Sequence, residues 1–268
     1  MSLKKVELVL GYKQSLARMN DPEGDKKDAE FQSVKNSILE QHRYVCAGCG
    51  FRSAGKVTGS QMGIPETKSG FLEVHHLDDD HGNNKPDNLV PLCPFCHQVF
   101  HCGFAGSTGT GMIGFLPEIT QAHLNLMTNA CLSILAIQKG KKERLKEAVG
   151  VHVARAERSF EETVRIAESA NQILQIFNVA IDRMVARYGG ESKNAKVFAN
   201  ILSEMAKSKP GSYARRKHFL APFRLIPSPD HFRDQVTFWS HNIWSGIIEG
   251  AVRGADFAAV RRMDHEHR

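Results

Sequence analysis

Two Cys-x-x-Cys pairs, Cys46/Cys49 and Cys93/Cys96, constrain the fold of this chain more than any other feature. Two residues between thiols let a tight turn aim both sulfurs at one point. Two such turns facing each other give four thiolates in a tetrahedron, the donor set of a structural zinc ion. Residues 50–92 lie between the pairs, more than a zinc ribbon usually carries, so the turns meet only if the intervening loop and strands fold back. The remaining thiols read differently. Cys131 lies on an apolar helical stripe and is expected in the core, and Cys102 is expected to be a buried thiol without a role.

A disulfide framework is the competing reading of six cysteines. It belongs to small secreted domains, whereas this chain has 268 residues and 41% hydrophobic content. Its opening, "MSLKKVELVLGYKQS", has no long apolar region or small-residue cleavage site, so no signal peptide is expected. No apolar run reaches the ~20 residues that span a bilayer. A cytoplasmic location follows as the expectation. The net charge of +6 is compatible with an acidic partner such as DNA without requiring one.

Periodicity divides the chain. Val6, Leu8 and Leu10 alternate as in a short strand, and Phe31, Val34, Ile38 and Leu39 have helical spacing. "FLEVHHL" reads as a strand, "DDDHGNNKPDN" as a turn and "LVPLCPFCHQVFH" as a strand leading into a helix. Asp78, Asp79 and Asp80 are expected to form the turn, with His81 solvated. "GSTGTGMIG" is flexible by composition and marks a boundary. Beyond it, one helix is expected from Pro117 to Gly140 and another over roughly 141–188, with Gly150 a candidate interruption. A basic connector, "KSKPGSYARRKHFLAPFR", precedes a final helix near Ser228 and Pro229. Within it Arg215, Arg216, Lys217 and Arg224 read either as a solvated run or as phosphate contacts. The predicted architecture is α+β: a zinc-binding module over 1–105 and a mainly helical region over 106–268.

Histidines crowd the second cysteine pair. His97 and His101 are four apart and share a face if helical, and His75 ends the strand just upstream. These three can bind one divalent ion. His76, the neighbour of His75, is then placed to accept a proton from water. His42, His123 and His152 show no partner in the sequence and read as surface or packing residues.

"EVHH…DNLVPLCPFCH…H" resembles the HNH nuclease signature, a ββα-metal motif, over about residues 43–103. The resemblance implies that His75, His97 and His101 are ligands of a second divalent metal (Mg2+, Mn2+, Ni2+ or Zn2+). It makes His76 the general base and Asn88 the residue that braces the turn and orients that base. Cys46, Cys49, Cys93 and Cys96 match the zinc knuckle that many members add. The implied activity is hydrolysis of DNA phosphodiesters.

A second likeness extends further. "QHRYVCAGCGF", "FLPEITQAHLN" and "FRLIPSPDHFRDQVTFW" resemble the IcmJ/DotN family of type IVB secretion and conjugation systems, from about residue 30 to 240. That resemblance implies a non-catalytic adaptor on the DotL-type coupling ATPase, held with other coupling-complex subunits at the inner membrane. The two expectations conflict at His75, His76, Asn88, His97 and His101, because an adaptor does not need a full catalytic set.

Overall fold

The computed structural model describes residues 4–13, 24–54, 67, 69–78, 80 and 82–250. Asp79, His81, most of the loop after Arg52 and the terminal "DHEHR" lie outside the described residues. The fold is α+β with a mainly helical carboxy-terminal half, as expected.

Helix α1 (Gly24–Gln41) buries Ile38 and Leu39. It packs on an antiparallel hairpin, β1 (Glu73–His76) and β2 (Leu89–Leu92), in which His75 pairs with Val90 and His76 with Leu89. Every residue of β2 is buried. A two-stranded hairpin is marginal alone, so this one depends on what covers it. The cover comes from both halves of the chain. Leu72, Leu89, Leu92 and Phe95 share one core with Leu132, Phe232, Phe238 and Trp239. Trp239 closes it, stacking edge-on against Phe51 and donating its indole N–H to the Gly70 carbonyl at 3.1 Å.

After β2 come α2 (Pro94–His97) and α3 (Cys102–Thr108). The glycine-rich stretch that follows is ordered. Gly109 ends α3 in the left-handed conformation with φ 71°. β3 (Gly111–Phe115) then pairs antiparallel with β4 (Phe223–Pro227). Gly106 serves close packing rather than flexibility, since a Cβ there would sit 2.0 Å from the Lys196 nitrogen.

Helix α4 (Gln121–Glu147) starts from Thr120, whose hydroxyl accepts the His123 N–H, and runs straight through Gly140. Gly140 faces open space, so it costs helix propensity without stopping the helix. The break falls at Gly150, with φ 59°. Beyond it α5 (Val153–Tyr188) returns along α4 and buries Ala167, Ala170, Phe177 and Ala180. α6 (Ala195–Ser208) is capped by Asn194, whose side chain accepts from Lys196 and Val197.

The basic connector folds into two short helices, α7 (Pro210–Ala214) and α8 (Arg216–Leu220), before entering β4. Three of its charges have partners. Arg216 donates to the Leu10 carbonyl and lies 4.2 Å over the Tyr213 ring, and Lys217 pairs with Glu7 at 3.4 Å. Arg224 is buried and donates to the carbonyls of Ile119, Ala221 and Phe223. The run is therefore structural at Arg216 and Arg224, where main-chain carbonyls hold the guanidinium groups, while Lys217 stays exposed. α9 (Arg233–Trp239) follows a 3-10 turn and passes into a π-helical turn at Ser240–Trp244. Ser228 occupies the cap position of that 3-10 turn without a side-chain capping bond. The expected amino-terminal strand is an extended segment whose ties include Val6 N–H to Ala47 and Gly11 N–H to Val99, both at 2.9 Å.

Candidate metal centre

Cys46 and Cys49 sit on a turn that opens after α1. Arg43 and Tyr44 reverse the chain with φ 53° and 54°, and Gly50, with φ 78°, lets it leave. The turn is pinned to β2, where Ala47 N–H meets the Pro91 carbonyl at 2.8 Å. That pin brings it against Cys93, which follows β2 and caps α2, and Cys96, the third residue of α2. The four sulfurs lie within 4.8 Å of one another, and Cys49 Sγ is 3.8 Å from Cys93 Sγ. Four thiolates around zinc at about 2.3 Å imply sulfur–sulfur edges of about 3.8 Å, so the cluster fits such an ion in size and donor type.

Burial and mutual hydrogen bonds perturb three of these thiols. Burial pushes the Cys93 and Cys96 thiols well up. At Cys46 burial also opposes ionisation, but hydrogen bonds from Cys49, Cys93 and Cys96 outweigh it and hold that thiol well below its ordinary range. A dication held by the four sulfurs would displace their protons, coupling its binding to proton release.

The histidines form a second group. One ring nitrogen from each of His75, His97 and His101 lies within 4.8 Å of the others. The centroids are 5.2 Å apart for His75 and His97, 4.7 Å for His97 and His101, and 6.0 Å for His75 and His101. All three are buried. Burial first, then the neighbouring His97 and His101 rings, lower His75 to about 2, so it is neutral at physiological pH, the form in which imidazole binds a metal.

His97 and His101 do not meet on one helix face. α2 ends at His97, and residues 98–101 turn more tightly, with Phe100 N–H bonding His97 at 3.1 Å and His101 N–H bonding Gln98 at 3.0 Å. A bridge to Tyr12 then holds the His101 backbone as α3 begins. Cys102 and Cys131 are both buried, away from the four-sulfur cluster, with thiols raised by burial to about 12 and about 11.

His76 and Asn88 occupy the strand ends. The His76 Nε2 is 3.0 Å from Asn84 Oδ1, and its ring lies against Phe31. Asn88 braces the connecting turn, donating to Asp78 Oδ1 at 2.8 Å and to the Asn83 carbonyl at 2.9 Å while accepting the Asp78 N–H at 3.1 Å. Hydrogen bonds from Asn83, Asn88 and the Asp80 N–H lower Asp78 to about 2. Asp78 and Asp80 thus form the turn, as their type predicts. His42 is buried, whereas His123 and His152 are exposed.

Three partners escaped the sequence reading. Glu73 hydrogen-bonds His97 Nδ1, leaving Nε2 for a ligand. Its signal was strand alternation, which places Glu73 and His75 on one face. Asn84 gave no signal beyond turn composition. Asn125, from α4, donates to Cys96 Sγ at 3.3 Å. Its signal was the run Gln121, Asn125, Asn129, Ser133 at intervals of four, all buried.

Comparison with known proteins agrees with this geometry. Residues 46–101, from the first cysteine to the last clustered histidine, match the HNH endonuclease family. A 95-residue stretch is 32% identical to the type IV methyl-directed restriction enzyme EcoKMcrA of Escherichia coli K12, covering 31% of each chain. A much longer likeness joins the chain to the type 4 apparatus protein DotN of Legionella pneumophila, at 26% identity over 229 residues, 84% of this chain and 86% of that one. Among the described residues no helix is long and apolar enough to cross a membrane. The chain is a homologue of DotN built around an HNH segment and a four-cysteine cluster fit for a metal ion.

Proposed function

We propose that this protein is a zinc-binding adaptor in a type IVB secretion or conjugation coupling complex, acting on a segment of the DotL-type coupling ATPase and peripheral to the inner membrane. The observation that carries this reading is the extent of the likeness to DotN, which reaches far beyond residues 46–101. In it Cys46, Cys49, Cys93 and Cys96 hold structural zinc. Residues 1–105 supply the metal-binding module and residues 106–268 the mainly helical region that covers it. Tagged protein purified from its own cells should recover the coupling ATPase. Recovery no greater than from an untagged strain would sink the adaptor reading.

A metal-dependent DNA endonuclease is the second reading, favoured by the convergence of His75, His97 and His101 beside His76. A divalent ion held by those three would polarise the scissile phosphate. Glu73 fixes the tautomer of His97, and His76, oriented through Asn84 and by the turn that Asn88 braces, takes the proton from the attacking water. Plasmid cleavage with Mg2+, Mn2+, Ni2+ or Zn2+ that disappears in His76→Ala supports this activity. No cleavage with any of these metals discards it.

A further inference from the structure

The sequence reads α4 as an apolar stripe, yet its buried face carries Gln121, Asn125, Asn129 and Ser133 one above another. Buried amides need partners, and where those partners are backbone groups the polarity is fixed. Gln121 Nε2 donates to the Leu225 carbonyl at 2.8 Å, and its Oε1 accepts the Leu225 N–H at 2.9 Å. A flipped amide would set donor against donor and acceptor against acceptor. The same Nε2 donates to Asn125 Oδ1 at 2.9 Å. Asn125 Nδ2 then faces the Phe95 carbonyl at 3.0 Å, which can only accept, and Cys96 Sγ at 3.3 Å. Donation therefore runs one way, from the β4 backbone through Gln121 and Asn125 to the sulfur. Cys96 Sγ is the end acceptor of that relay, as a metal-bound sulfur would be.

We infer that Asn125 is a positioning residue of the four-cysteine centre, holding Cys96 Sγ from outside the ligand set, and that Gln121 and the main chain of Leu225 fix its polarity. This rests on the reading that the cysteines bind a metal. It adds that the helical half helps to set how tightly the metal is held. Outer partners of metal ligands commonly change affinity by about 10–100-fold. Asn125 is fully buried and reaches a ligand sulfur, whereas Asn129, one turn along the same face, is equally buried but accepts the Trp244 indole N–H on its Oδ1 at 2.7 Å.

The test compares the zinc-loaded full chain with Asn125→Leu and Asn129→Leu, following metal release to a colorimetric chelator. Release at least about tenfold faster in Asn125→Leu, and near the wild-type rate in Asn129→Leu, supports the inference. Equal acceleration in both variants means general loosening and overturns it, as does an unchanged rate in Asn125→Leu. A second measurement needs no variant. With the centre loaded with an NMR-active cadmium isotope and asparagine side-chain nitrogens labelled, one amide should show coupling to the metal across the N–H···S bond. Absence of coupling overturns the inference and leaves metal binding intact. A wild-type chain that takes up no metal at the cysteines overturns both readings.

Discussion

Cys93→Ser tests the reading on which the fold account depends. Cys93 is fully buried, its Sγ lies 3.8 Å from Cys49 Sγ, and its own N–H donates to Cys46 Sγ at 3.2 Å. It also joins the end of β2 to the start of α2. Serine changes the volume little but removes one of four thiolates. A ligand that binds only the folded state, held free at a thousandfold above its dissociation constant, stabilises by about 4 kcal/mol. At about 2–4 °C per kcal/mol for a chain somewhat smaller than this one, losing it lowers the melting temperature by about 8–16 °C. Burying a hydroxyl adds a cost of about 1–3 kcal/mol. Cys102→Ser calibrates that cost, because Cys102 is also fully buried but lies outside the four-sulfur cluster. Calorimetry with metal analysis is the assay. The expected result is a chain that has lost its cysteine-bound metal, melts well below Cys102→Ser and no longer responds to chelator. A Cys93→Ser protein that keeps one tightly held metal per chain and melts with the control would refute the reasoning.

Four smaller perturbations follow from the same contacts. Asn88→Ala removes three hydrogen bonds around the turn, at about 0.5–1.5 kcal/mol each, and calorimetry should show the loss. Asp78, lowered to about 2 by hydrogen bonds from Asn83, Asn88 and the Asp80 N–H, stabilises the turn above its unfolded value of about 3.9. Its contribution is lost as pH falls through about 2, so acid titration of Asn88→Ala should show that carboxyl moving back up. Gly106→Ala drives a methyl to 2.0 Å from the Lys196 backbone and should cost about 1–3 kcal/mol or more by denaturant unfolding. Gly140→Ala meets open space in mid-helix and should stabilise by about 0.4–1 kcal/mol; a destabilised variant would contradict an uninterrupted α4.

Local rules explain most of what was legible. The cysteine pairs, the β1–β2 hairpin, the helical spacing in α1 and the break at Gly150 each depend on a few adjacent residues, and the structure has all of them. The misreadings arose where a local rule met a distant partner. "GSTGTGMIG" has linker composition, yet Gly106 lets α3 touch α6 and β3 finds β4 more than a hundred residues away. The Arg216 and Arg224 charges look solvated until the carbonyls of Leu10 and Ile119 are placed beside them.

The sequence by itself determined which side chains could meet a metal, because ligand chemistry and turn geometry act over two to four residues. Only the tertiary structure decided what surrounds them. The hairpin is too small to bury its own faces, so Leu132, Phe232, Phe238 and Trp239 from the far half complete its core. That packing also delivers Asn125 to Cys96. A hydrogen bond between residues 29 positions apart leaves no periodic trace, because its geometry exists only once the two segments have been brought together.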